Sequence, residues 1–570
     1  MRLKHLLLGL CLPALIACSA TNGANDTASE VLYFNGQIIT QNPSQPKASM
    51  MVIKDGRIAL IGDSYDEFEG RRRIDLNGAA VLPGIIDSHV HVRELGMDAV
   101  KADLVGVKNT ADIVARLKAF APNPKSGEWI IAQGWDEGYF GSAGYPDRAL
   151  IDEAFPDNPI KMESLHGFGG FYNGAALAIA GIDKDTPEPE VGNILRRKNG
   201  EPTGVMLTLA QGLVNKHVPP YSFEDRKTAI RAGLLKMGLA GVTSIHEAGM
   251  TPEDVGAFQA LAEAGALPIR VYGMLDGNNE ALMQEWFAKG YQDDPNDMFD
   301  VRGVKVFYDG SLGSRTALMK EPYSDKPDAA RPTERISPEA MLSLGERAAR
   351  TGFQMAVHAI GDEGNSRTLN IFEQALEAAS QNGTEKLDHR WRVEHAQVVL
   401  PDFYDRMAKL GALASVESSH AVGDSDWAED RIGPQRIRHA YAWQNMLEAG
   451  VRVLMNSDLP GEPWEPMQTL YFAVTRKKLD GTSGDDGLPP GDYQADGWYM
   501  NQAMSVEQAL HAMTLENAYG AFQDDALGSL EVGKRADFII LSDNPLKMAP
   551  DALKNITVDQ VYVGGEKLVP

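Results

Sequence analysis

The chain has 570 residues, 43% of them hydrophobic and 23% charged, which is ample apolar material for a core and not the composition of a disordered segment. A formal net charge of -25 argues against binding nucleic acid, whose backbone is held by clustered cations that displace counterions. The length accommodates one large barrel together with a small companion domain.

The N-terminus carries Arg2 and Lys4 and then the apolar run LLLGLCLPALIAC, interrupted by Pro13 and too short to span a bilayer. Residues 1–17 read as an export signal, and Leu15-Ile16-Ala17-Cys18 resembles a bacterial lipobox, in which Cys18 becomes the lipidated first residue. Residues 18–30 follow as a flexible polar tether. The expected location is therefore periplasmic or on the outer membrane of a bacterium, with Cys18 as the membrane anchor. Cys11 and Cys18 are the only cysteines, so no disulfide is expected in the mature fold.

Residues 31–62 alternate apolar and polar side chains around Asn35-Gly36 and Asp55-Gly56, the pattern of short hairpins. The same texture returns in ADFIILSD (536–543) and VDQVYVGGEKLV (558–569), so residues 31–82 and 527–570 are expected to pair as a composite, discontinuous β-sandwich. Between them, residues 83–526 alternate apolar runs with amphipathic stretches, as a parallel sheet covered by helices requires. The expected class is α/β, a (β/α)8 TIM-type barrel. The runs are AAVLPGIIDSHVH, NPIKMESLH, GVTSIHEAG, PIRVYGML, GVKVFYDG, FQMAVHAIGD, WRVEHAQ, GALASVESSH and VRVLMNSD. They outnumber the strands of a closed barrel, so one belongs to an insertion, expected around residues 120–205.

Polar residues end several of these runs, and barrel active sites are built at the C-terminal ends of strands. His89-x-His91 closes the first; side chains two apart on a strand share a face, so both imidazoles can reach one metal. His358, His395 and Asp458 end three more. Burying these ionisable groups in one cleft would cost several kcal/mol each without compensation, which a cation supplies. Lys305 is ambiguous: a protonated lysine repels a metal, so it either pairs with a carboxylate such as Asp309 or serves as a ligand after conversion to a carbamate.

Other residues carry paired readings. His246 either lines the pocket or is a hydrogen-bonded barrel histidine. Asp309, Arg315 and His420 fall in loops expected to overhang the mouth as substrate contacts, with a surface salt bridge as the alternative for Arg315. Trp427, Tyr441 and Trp443 form either a lid or core packing. Alternation turns Glu394 away from His395, which argues against its being a ligand.

The ordered blocks GIIDSHVH (84–91), GWDEGYFGSAGYPDR (134–148), GVTSIHEAG (241–249), KVFYDGSLGSRTA (305–317), VHAIGD (357–362), RVEHAQ (392–397), SSHAVGDSDWAEDRIGP (418–434), NSDLPGEP (456–463) and LGSLEVGKRADFIIL (527–541) resemble the amidohydrolase superfamily, in particular its YtcJ-like, Amidohydro_3 branch. The resemblance runs from about residue 31 to the C-terminus. It implies a barrel flanked by a β-sandwich, metal ligands at His89, His91, His358 and His395, a catalytic Asp458, and a carboxylated ligand at Lys305. It also implies hydrolysis of non-peptide amide-type bonds; some members of the branch deformylate N-substituted formamides. Where many relatives carry Asp-Gly-His, this chain has His166-Gly167-Phe168, so a phenyl ring stands where an imidazole is common. Phe168 is accordingly a candidate substrate contact, and His166 is either a substrate contact or a filled structural site.

The expected chemistry is a divalent metal, zinc by default for an imidazole-rich site, lowering the pKa of water, with one or two ions present. Asp458 acts as general base and then acid, and His395 helps polarise the carbonyl. The expected partner is a small-molecule substrate, with no nucleic acid; a homodimer is compatible with the sequence. Alternatives on the same scaffold are an ester, lactone or phosphoester hydrolase, and a non-catalytic lipoprotein that captures a small molecule.

Overall fold

The computed structural model describes residues 30–64, 72–135, 145–164, 169–189, 192–328, 331–381, 387–461, 463–484 and 497–569. Residues 1–17, expected as an export signal, together with Cys18, His166 and Phe168 lie outside the described residues.

Eight parallel strands form the central sheet: β1 (Ile85–Val90), β2 (Val242–Met250), β3 (Arg270–Asp276), β4 (Phe299–Phe307), β5 (Gln354–Ala359), β6 (Arg392–His395), β7 (Leu413–Glu417) and β8 (Val453–Asn456). Each pairs with its sequence neighbour, in the order β8-β7-β6-β5-β4-β3-β2-β1. A parallel bridge between Val90 and Leu459 brings the two edge strands together, with Asp458 N donating to His89 O at 3.0 Å and His91 N to Leu459 O at 3.2 Å. Across the same seam, Ser457 donates through N (3.1 Å) and Oγ (2.6 Å) to Asp87. The sheet thus curls into a nearly closed TIM-type barrel.

Amphipathic helices cover the outside. The Phe223–Leu239 helix starts at a capping box in which Ser222 accepts from Asp225 N and Asp225 reciprocates, and its buried face includes Ile230, Leu234 and Met237. The Pro338–Thr351 and Asp362–Gln381 helices bury Leu344 and Ala348, and Leu369 and Phe372, in the same continuous core. Inside the barrel the packing is polar: Ser88, His246, Arg392, Glu394, Ser415 and Asn456 are all buried.

Eight of the nine expected strands are barrel strands; NPIKMESLH is not. Its Ile160–Ser164 segment lies in a separate six-stranded sheet between β1 and β2, whose strands extend from Ala102–Asp103 to Pro202–Leu207. That sheet has its own apolar cluster, including Leu104, Trp135, Met162 and Val205.

The chain ends meet in a further six-stranded sheet. There Ala80–Pro83 pairs with Gln37–Ile39 on one side and with Phe538–Leu541 on the other. A four-stranded sheet of N-terminal segments packs nearby, and a core including Tyr33, Met51, Val81, Phe538 and Tyr562 joins residues of both sheets.

Candidate active site

Register sets the strand ends at matching heights. Phe307 is opposite His358, Ala359 opposite His395, and Glu417 opposite Asn456, so consecutive strands deliver their last polar residues to one rim. His395 (φ 73) and Asp458 (φ 49) adopt the left-handed conformation, uncommon for side chains other than glycine and concentrated at functional sites. There the chain leaves its strand and the simple alternation of faces ends.

His89 is fully buried. Its Nδ1 lies 2.6 Å from Glu394 Oε2 and its Nε2 2.8 Å from Lys305 Nζ. Asp458 Oδ1 stands 3.6 Å from His89 Nε2 and 3.5 Å from His91 Nε2, while Oδ2 stands 3.9 Å from His420 Nε2. The His395 ring is 4.4 Å from that of His358, 5.3 Å from His89 and 5.8 Å from His420, against which it stacks. His395 Nδ1 comes within 3.1 Å of Glu417 Oε2, at an angle outside hydrogen-bonding geometry. His358 turns Nε2 to Gly310 O at 3.2 Å.

Burial pushes His89 down to about 4, aided by Lys305, and holds His358 well below the ordinary imidazole value, aided by His395. Both are neutral at pH 7, the form that ligates metal. Burial lowers Lys305 to about 8. Burial opposes charge on His420, yet the adjoining Glu417 carboxylate outweighs it and pushes this imidazole up to about 10. Glu417 is correspondingly held at about 2, against its burial, chiefly by His395.

Among the described residues, three donor sets have all their ligand atoms within 4.8 Å of one another: His89, His91 and Asp458; His395, His420 and Asp458; and His89, His395 and Glu417. Imidazole nitrogens and carboxylate oxygens at such spacing are a donor set that suits a divalent cation. Glu417 Oε1 is also a buried oxygen with no hydrogen-bond partner among the described residues.

The structure thus gathers His89, His91, Lys305, His358, His395 and Asp458 at one mouth, and adds His420 to them. Of the two readings of Lys305, the one that pairs it with Asp309 is not seen: the two face different partners. The lysine faces His89 and the Phe307 ring at 4.5 Å, whereas Asp309 is buried and accepts from the backbone N of Leu318, Ile360 and Gly361, each at 2.9 Å. Arg315 makes a two-pronged bond with Asp325 at 3.1 and 2.5 Å. His246 Nδ1 meets Arg392 Nη1 at 2.9 Å inside the barrel, the hydrogen-bonded role. Tyr441 and Trp443 are buried in the core, while Trp427 is half-buried.

Glu417 was not singled out in the sequence, although it ends the apolar run LASVE just as His395 ends WRVEHA. The signal, a polar residue closing an apolar run, is the same.

The sequence profile described as "Amidohydrolase family", Amidohydro_3, matches residues 72–569. The chain is 32% identical to Protein LONG AFTER FAR-RED 3 of Arabidopsis thaliana, over 95% of this chain and 92% of that protein. It is 28% identical to putative amidohydrolase YtcJ of Bacillus subtilis (94% and 99% covered) and 25% identical to N-substituted formamide deformylase of Arthrobacter pascens (94% and 97%). Among solved structures, an uncharacterized metal-dependent hydrolase from Pyrococcus furiosus superposes with a TM-score of 0.70 at 28% identity, covering 91% of this chain and all of that one. Architecture, polar rim and sequence agree, and the chain belongs to the amidohydrolase family.

Proposed function

We propose that this protein is a metal-dependent hydrolase of carbon–nitrogen bonds in small, non-peptide amide-type substrates. The observation that carries the proposal is the shared position of Asp458, whose two carboxylate oxygens face separate imidazole groups at the barrel mouth. The likeness to an N-substituted formamide deformylase supports an amide-type substrate.

In this reading His89, His91, His358, His395 and Asp458 hold the metal, with Lys305 as a carboxylated ligand and zinc as the ion. When bound, the metal lowers the pKa of water toward neutrality and polarises the scissile carbonyl. Asp458 orients the attacking water, accepts its proton and delivers that proton to the departing amine. His395 would help hold the metal where it polarises that carbonyl. Lys305, buried and lowered to about 8, has an appreciable neutral fraction available to take up carbon dioxide.

The test is a substrate panel of N-formyl and N-acyl amines against aryl esters, lactones and phosphotriesters, each with and without chelator. Chelator-sensitive turnover of the amides supports the proposal. Turnover confined to the esters or phosphoesters replaces the substrate class, and metal-free protein that binds but never hydrolyses these compounds replaces catalysis with capture. Metal content that rises with bicarbonate supports carboxylation of Lys305.

We further propose that the mature protein is an exported lipoprotein held by a lipid on Cys18. The basic start, the short apolar run and the LIAC sequence support this reading.

A further inference from the structure

Beneath the candidate metal ligands, β6 buries an arginine and a glutamate, both completely enclosed in the barrel. Arg392 grips Glu394 with two prongs: Nε donates to Oε1, and Nη2 to Oε2 at 2.9 Å. Nη2 also donates to Ser88 O, and Nη1 lies 2.9 Å from His246 Nδ1. Glu394 Oε2 reaches His89 Nδ1 at 2.6 Å. A buried ion pair is weak evidence for stability, since apolar packing often serves as well, so its placement against a candidate ligand calls for another explanation.

The chemistry of the partners assigns the protons. A carboxylate gripped by a guanidinium is ionised and can only accept, so His89 carries its proton on Nδ1. That leaves the lone pair on Nε2, the atom facing Lys305 Nζ at 2.8 Å and the Asp458 carboxylate at 3.6 Å. A guanidinium can only donate, so His246 accepts at Nδ1 and carries its proton on Nε2. We infer that Arg392 and Glu394 are positioning residues that hold His89 and His246 in opposite tautomers, presenting His89 Nε2 as a ready metal ligand. The inference rests on the metal site proposed above. Neither Glu394 oxygen is free to bind metal itself, because Arg392 holds both and His89 shares one.

Glu394→Gln has the same shape but one acceptor oxygen. Arg392 claims that oxygen, and the amide N–H then faces His89 Nδ1, which favours the proton on Nε2. The expected result is zinc affinity weaker by about 10- to 100-fold, measured by competition with a chromophoric chelator. Zinc binding as tight as wild type would overturn the inference. A second measurement needs no folded variant at site 394. In metal-free wild-type protein labelled with ¹⁵N-histidine, two-bond nitrogen–proton correlations should show Nδ1–H for His89 and Nε2–H for His246, assigned by loss of the signals in His89→Asn and His246→Gln. The same tautomer at both positions, or Nε2–H at His89, overturns it. Wild-type protein that shows opposite tautomers yet takes up no metal would sink the proposed metal site and leave the clamp standing.

Discussion

Asp458 Oδ1 lies 3.5 Å from His91 Nε2, and the residue that carries it holds a left-handed backbone conformation immediately beyond β8. The strain aims the carboxylate across the barrel seam, where Asp87 and Ser457 lock β1 against the end of β8. Asp458→Asn keeps the shape and one acceptor oxygen but removes the proton-accepting charge. The expected outcome is retained zinc, by elemental analysis, with kcat lowered by about 10²- to 10⁴-fold. A kcat within twofold of wild type would exclude Asp458 as the base.

Periodicity made the barrel legible because a strand buried on both faces is a short apolar run, and a polar residue at its end stands out. His89, His358, His395 and Asp458 share that signature. NPIKMESLH has the same signature and lies outside the barrel, because which sheet a buried strand joins depends on pairing and not on composition. Alternation set Glu394 apart from His395 but did not show what it faces. At His395 the backbone turns to φ 73, the two-residue period ends, and Glu394 is left facing the barrel interior against His89. Asp309 stands beside the mouth, its Oδ1 3.6 Å from His358 Nε2, but three backbone amides hold its carboxylate, a local bond pattern that leaves no periodic trace.

The proposed membrane attachment turns on a single thiol. Cys18→Ala removes the lipidation point, so in fractionated bacterial cells the variant should move from the membrane pellet to the soluble fraction. Continued pelleting that resists high salt and carbonate washing would rule out the lipid anchor.

An enclosed ion pair fastens the C-terminal segment to the barrel. Arg270 on β3 donates through Nε (2.6 Å) and Nη2 (2.9 Å) to Asp537, whose side chain also accepts from Gly564 N at 2.7 Å. Their side chains are only 3% and 6% exposed. Asp537→Ala leaves a guanidinium buried without its carboxylate and should destabilise the protein by about 3–5 kcal/mol. Arg197 and Asp147 form the control: their side chains are 40% and 65% exposed, and Asp147→Ala should change stability by less than about 1 kcal/mol. Equal urea midpoints for the two variants would show that the buried pair does not bear on stability.

Asp300, on β4 and away from the proposed metal ligands, gives the clearest pH dependence. Its carboxyl is buried and accepts from Asp294 N at 2.6 Å and Gln523 Nε2 at 2.7 Å. Burial pushes it up to about 6, with Asp293 and Asp297 adding repulsion. An acid whose folded pKa exceeds its unfolded value of about 3.9 binds its proton more tightly when folded. Its contribution is therefore fully present below about pH 4 and is lost as pH rises through 6, amounting to roughly 2–3 kcal/mol. Asp300→Asn cannot ionise, and its amide can donate to Gln523 Oε1, a buried oxygen without a hydrogen-bond partner, once the Gln523 amide turns over. By calorimetry at pH 4.5, 6 and 8, the variant should melt close to wild type at the lowest pH and increasingly above it as pH rises. A variant that melts below wild type at pH 8 would mean that the ionised carboxylate is the stabilising form.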